Sequence, residues 1–200
     1  VNDGSTDDTL EVLEKHFANN PRIRWKSQQN GGIGAASNAA LKMCRGAYIA
    51  QLDADDLLKP NALETCVNYL QKHPETGCVY STYEMIDEAG NFVKPGYNFP
   101  IYMREKLLNN MMIHHFRMFQ KKYWSRTAGF AENIENSVDY HMFLKLSEVC
   151  DFHHINEVLY SYRWHGENTS VKSETAQQKN ADKVLREAHR RLGWQGHFPK

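Results

Sequence analysis

Apolar residues along this 200-residue chain follow two alternating rhythms. Leu10, Leu13 and Phe17 recur at helical spacing behind Ser5 and Asp8, a capping-box pair, and Pro21 stops the run. Ile23 and Trp25 alternate with polar neighbours, a weak strand signal. Asn30-Gly31-Gly32 followed by an alanine-rich run predicts a loop and then a helix, closed by Gly46. The apolar stretch from Tyr48 to Leu52, bounded by Gly46 and Pro60, reads as a buried parallel strand. Leu63, Val67 and Leu70 mark one face of a helix, Cys78-Val79-Tyr80 another strand, and residues 87–91 a turn between antiparallel strands. Strand and helix thus alternate through the first half. That is the pattern of an α/β fold, with a mostly parallel central sheet flanked by helices.

The texture changes after Pro100. Residues 104–112 read as a helix and 116–119 as a strand with Arg117 on one face. Met142, Phe143, Leu146 and Val149 line a further helix, followed by strands at 152–155 and 158–162 and a charged, peripheral helix at 173–192. The length suits one domain, assigned to 1–172, with 173–200 as a C-terminal helix and tail. The chain lacks an initiator Met and opens in mid-motif, so it reads as a fragment whose N-terminal strand or strands are missing. Lys plus Arg (24) equals Asp plus Glu (24), so no net field favours nucleic acid or an anionic membrane. Four scattered cysteines without a C-x-x-C argue for reduced thiols and a cytoplasmic setting, and against a zinc site. No apolar run of about eighteen residues is present to span a bilayer.

Candidate chemistry concentrates at strand ends. Asp53, Asp55 and Asp56 crowd the turn after the Tyr48 strand, where α/β sheets bind ligands. Crowded carboxylates suit a hard divalent cation; for Asp56, capping of the next helix is an equal alternative. Asp3, before Gly4, either accepts from a ligand N–H or shapes the turn. Asp139 stands at a helix start, where Asp commonly caps. His114, His115 and Arg117 interrupt an apolar stretch. His165 follows a strand in a polar loop, placed equally well for a metal or for no role.

Together, Val1-Asn2-Asp3-Gly4-Ser5, the stretch from Asn30 to Asn38 and Leu52-Asp53-Ala54-Asp55-Asp56 resemble the opening motifs of family 2 inverting glycosyltransferases with the GT-A fold. The stretches 114–119, 135–148 and 164–170 resemble bacterial chondroitin and hyaluronan synthases, in particular their second, glucuronic-acid-transferring domain. As in those synthases, Ser37 rather than Arg precedes Asn38; Val138 stands before Asp139 where many family members carry Glu, so Asp139 would act without a neighbouring acid. The resemblance implies a UDP-sugar donor and an oligo- or polysaccharide acceptor. Asp3 would contact uracil; Asn30, Gly31 and Gly32 would line the nucleotide; Asp53 would lie near the ribose. Asp55 and His165 would bind Mn²⁺ or Mg²⁺, and Asp139 would be the general base. His115 and Arg117 would face the donor sugar or diphosphate. A preceding second transferase domain and peripheral association with the inner face of the membrane are further implications. Two alternatives stay open: the same chemistry with an N-acetylhexosamine or hexose donor, or a non-catalytic sugar-nucleotide or glycan-binding module.

Overall fold

The computed structural model describes residues 1–97, 99–165, 168 and 174–193. Its elements are α1 (Thr9–Phe17), α2 (Gly32–Met43), β1 (Tyr48–Gln51), β2 (Leu57–Leu58), α3 (Ala62–Lys72), β3 (Thr76–Ile86), β4 (Phe92–Pro95), α4 (Arg104–Leu107), β5 (Arg117–Gln120), α5 (Lys121–Trp124), α6 (Val138–Ser147), β6 (Asp151–Arg163) and α7 (Glu174–Leu192).

The sheet runs β1-β5-β3-β6-β2, with β4 paired to β3. β5 lies antiparallel between β1 and β3, and β6 runs parallel to β3. β1, β3 and β6 therefore point the same way, as strand–helix alternation requires. The hydrogen-bonded pairing is nonetheless mixed: β3–β6 is the parallel pair among the described strands, and the other pairs are antiparallel. The inserted β5 is the reason, since it returns from α4 without a crossover helix and so must run against its neighbours.

Helices cover both faces. Val79, Met118, Leu159 and Tyr160 meet Ala62, Cys66 and Leu70 of α3 on one side. Cys78, Tyr80 and Phe119 meet Met142, Phe143 and Leu146 of α6 on the other. Successive β3 residues thus serve opposite cores, so the strand is apolar without interruption at its start. α6 buries eight of its ten residues, because α7 closes over its outer face with Val184, Leu185 and Ala188.

Several sequence expectations change in detail. The strands at 152–155 and 158–162 are one strand, β6; exposed Asn156 and Glu157 are absorbed as a register shift against β3. The helix expected at 104–112 stops at Leu107, where the Asn109 side-chain amide donates to the Glu105 carbonyl (2.6 Å) and competes with the next helical turn. Ile23 and Trp25 form no strand; the nearby order is one parallel bridge, Asn2 to Ser27. Ser5 does not cap α1. The N-cap position is Asp8, which makes no side-chain cap bond, and Asp7 before it accepts from the Thr9 amide (3.1 Å) and hydroxyl (2.6 Å).

α2 is locked to the second half of the chain. The Asn38 amide accepts from the Phe130 N–H and donates to the Phe130 carbonyl, both at 2.9 Å. Gly34 permits this approach, because a Cβ there would collide with the Ala131 carbonyl. Among the described residues, no helix is long and apolar enough to cross a membrane.

Candidate active site

The acidic turn after β1 divides its carboxylates three ways. Asp56 is buried and does not cap α3, whose N-cap is Asn61. It instead accepts from the Tyr160 hydroxyl (2.6 Å) and the Arg163 backbone N–H (2.7 Å), both on β6. The Arg163 side chain completes the joint, its Nε donating to the Asp55 carbonyl (2.7 Å) and its Nη1 to the carbonyls of Asp87 (3.0 Å) and Glu88 (2.7 Å). The turn is therefore fixed to the end of β6 and to the β3–β4 hairpin.

That joint determines where the other two acids point. Asp55 is exposed, and its Oδ2 lies 3.1 Å from Nε2 of His165, just beyond β6. His165 is held in turn by buried Asn168, whose side-chain oxygen accepts the His165 N–H (2.6 Å). Asp53 is half-buried. Burial raises its pKa, the Arg117 cation opposes the rise, and Asp56, Asp55 and Asp139 add to it.

Across the cavity, Asp139 occupies the first turn of α6. Its Oδ2 accepts from Nη2 of Arg117 at 3.0 Å. His115 stacks its ring on Tyr160 (centroids 4.6 Å apart) and on Tyr162 (5.7 Å). Burial, then the Arg117 and His114 charges, hold its pKa well below the ordinary imidazole value, so His115 is neutral at physiological pH.

Asp53, Asp55, His115, Arg117, Asp139 and His165 thus line one cavity of about 430 Å³. A second cavity of about 540 Å³ shares His115, Arg117, Asp139 and Tyr162. It also shares Ser137 and Gln177, leads away past Trp164, Asn109, Asn110 and Gln178, and touches neither Asp55 nor His165. The other four predicted residues gather elsewhere. Asp3 accepts from Gln28 Nε2 (2.8 Å) and the Gly31 N–H (3.1 Å), and the Gln28 bond in particular lowers its pKa. Gly4, with φ +82°, lets this loop press against Asn30, since a Cβ there would come within 2.9 Å of the Asn30 nitrogen. Gly32 opens α2, and Ile33 beside it lines the main cavity. Of the 164–170 motif, residues 166, 167, 169 and 170 lie outside the described residues.

Sequence reasoning missed the Asp56–Tyr160–Arg163 joint and the Arg117–Asp139 pair. Tyr160 looks like an ordinary core residue in an apolar strand, and its partner lies 104 positions away. For the metal, no group of three or more His, Cys, Asp or Glu gathers among the described residues. The Asp55–His165 pair still fits a Mn²⁺ or Mg²⁺ ion, which typically takes one or two protein ligands and fills the rest of its shell with phosphate oxygens and water.

The Glycosyl transferase family 2 model matches residues 1–127. The chain is 54% identical over 191 residues to the chondroitin synthase of Escherichia coli, covering 96% of this chain and 28% of that protein. It is 50% identical over 192 residues to the hyaluronan synthase of Pasteurella multocida, covering 96% of this chain and 20% of that protein. The chain therefore spans about a quarter of the length of these relatives. Among solved structures, S. aureus TarS in complex with UDP-GlcNAc superposes with a TM-score of 0.73 at 17% identity, over 93% of this chain and 54% of that one. The mannosyltransferase PcManGT from Pyrobaculum calidifontis, in complex with GDP-Man and Mn²⁺, gives 0.62 at 16% identity, over 98% of this chain and 55% of that one. Mixed sheet, flanking helices and matched sequence agree on the GT-A fold, and the chain belongs to glycosyl transferase family 2.

Proposed function

We propose that this domain transfers glucuronic acid, with inversion, from UDP-glucuronate to the non-reducing end of a growing glycosaminoglycan-like chain. The observation that carries the reading is the main cavity, which the Asp55–His165 pair and Asp139 line together. Inverting transfer needs two groups about one sugar, one for the leaving diphosphate and one for the incoming hydroxyl on the opposite face.

Asp55 and His165 would hold the cation, and Asp53 would lie near the ribose. Asp3, Asn30, Gly31 and Gly32 would take the nucleotide, and His115 would face the donor sugar or diphosphate as a neutral ring. When bound, the cation neutralises charge growing on the departing diphosphate. In the transfer, the acceptor oxygen bonds to the anomeric carbon as the bond from that carbon to UDP breaks. The electron pair leaves with UDP, and the acceptor proton moves to the Asp139 carboxylate. The second cavity, which shares Asp139 but neither cation ligand, is where the acceptor would lie. Its exposed Trp164 and its Asn and Gln amides suit a sugar ring.

The donor assignment rests on kinship. The chain is about equally similar to a chondroitin and a hyaluronan synthase. Those polymers share glucuronate and differ in the hexosamine, so a region common to both enzymes suits the common unit. The test is transfer by the purified protein with Mn²⁺, across a panel of UDP-sugars and of acceptors ending in hexosamine or in glucuronate. Use of UDP-glucuronate alone on hexosamine-ended acceptors is expected. Transfer of another sugar overturns the donor. Mn²⁺-dependent UDP binding without turnover of any donor replaces the enzyme with a binding module.

A further inference from the structure

Arg117 is implanted in the sheet. Its backbone pairs with Gln51 of β1 on one side and Tyr80 of β3 on the other, so the root of the side chain is fixed by an inner strand. The side chain is almost completely buried, at 5% exposure. Nε donates to the Ile113 carbonyl at 2.9 Å, and the guanidinium carbon sits 5.0 Å from the centre of the Phe143 ring. A buried cation is tolerable only when partners meet it, and the carboxylate that meets this one is Asp139.

Asp139 has the opposite character. It belongs to the first turn of a helix entered through Ser137, whose backbone is left-handed (φ +63°), and its side chain is 36% exposed to the cavity. A carboxylate so placed has several rotamers open to it. The bond from Arg117 to Oδ2 selects one, and the Tyr140 N–H lies 2.8 Å from Oδ1. Each carboxylate oxygen keeps a lone pair for an incoming proton after these contacts.

We propose that Arg117 is a positioning residue. It acts through Asp139, fixing the carboxylate that receives the acceptor proton, and it does not bind the donor sugar or the diphosphate. Its effect therefore falls on turnover and spares donor affinity. The inference rests on the reading of Asp139 as the base, and the test separates the two.

The experiment is a double-mutant cycle with Arg117→Met, Asp139→Asn and the combination, reading kcat, donor KM and Mn²⁺-dependent UDP affinity. Arg117→Met should lower kcat by about 10²-fold, the scale set by misplacing a reacting group. Donor KM and UDP affinity should stay within about twofold. The double variant should be no slower than Asp139→Asn alone, because residues acting as one unit lose their function once. A donor KM raised about tenfold with kcat preserved, or losses that multiply in the double variant, overturns the proposal. Full kcat in Asp139→Asn refutes the base assignment instead. If melting curves show that Arg117→Met does not fold, Arg117→Lys replaces it in the same cycle. Lys keeps the charge without the planar fork, so a smaller kcat loss is expected, with KM unchanged and no further loss when combined with Asp139→Asn.

Discussion

The two ends of the main cavity are built on different plans. At the Asp55–His165 end, Asp55 is exposed (46% of its side chain), His165 is half-buried (21%), and the supporting Asp56, Tyr160 and Asn168 are buried. Both side chains are held through their backbones, the Asp55 carbonyl by Arg163 and the His165 N–H by Asn168. At the Arg117–Asp139 end, the functional carboxylate is already met by a protein cation. On the proposed reading a cation would complete the first end, whereas Arg117 of the sheet already meets the carboxylate at the second. With the roles proposed above, electrostatic preorganisation explains the contrast, since a base must be aimed before the reaction while a cation would arrive with its own phosphate oxygens.

The contrast can be broken deliberately. Asp139→Asn should cut turnover by about 10²–10⁴-fold while UDP binding persists. Unchanged transfer rates would remove Asp139 from the chemistry. Asp55→Ala should weaken Mn²⁺-dependent UDP binding by at least about 10²-fold, since losing a ligand costs no less than losing a partner that orients one. Titration calorimetry showing equal affinity would exclude Asp55 as a ligand. That substitution should change stability by no more than about 0.5 kcal/mol, as for most exposed positions. The neighbouring Asp56→Ala should cost about 3 kcal/mol in urea unfolding, because the buried Tyr160 hydroxyl loses its acceptor. Equal unfolding midpoints for the two variants would erase the distinction between exposed donor and buried support.

The smallest effect concerns pH. His141 is buried between α6 and α7, and that burial, followed by the Lys145 charge, lowers its pKa from 6.5 to about 4. The fold favours the neutral ring, so this contribution to stability is complete above about 6.5 and is lost as pH falls towards 4. His141→Leu should make the acid-side decline of Tm shallower over that interval. The same slope in both proteins would assign the decline to other groups, His114 among them, whose pKa burial also lowers to about 4.

The limits of sequence reading follow from range. Periodicity located α2, β1, α3 and the β3–β4 hairpin, whose determinants lie within a few residues of one another. It placed β1 and β3 in the same direction but could not see β5 between them, because insertion depends on contacts between residues distant in sequence, such as Val79 with Met118. Asp53, Asp55 and His115 stood out because charged or polar groups interrupted apolar runs. The pairing of Asp55 with His165, 110 positions away, entered through family resemblance rather than local pattern. Arg117 was noticed for the right reason, as a cation in an apolar strand, and assigned to the donor. Its carboxylate partner lies 22 positions on, at a helix start that by itself suggests a cap.

Asn38 has a consequence for how such a domain diverges. Its amide grips the peptide group of residue 130 and is indifferent to the side chain attached there. Drift across that seam is therefore one-sided. Position 130 accepts any apolar residue that fills the same space, whereas position 38 needs a paired donor and acceptor on a short stem, which Asn alone supplies. A crossover anywhere between positions 38 and 130 would leave this joint intact whenever the incoming segment follows the same backbone path. The two halves of the chain can exchange sequence at different rates and still meet at one amide.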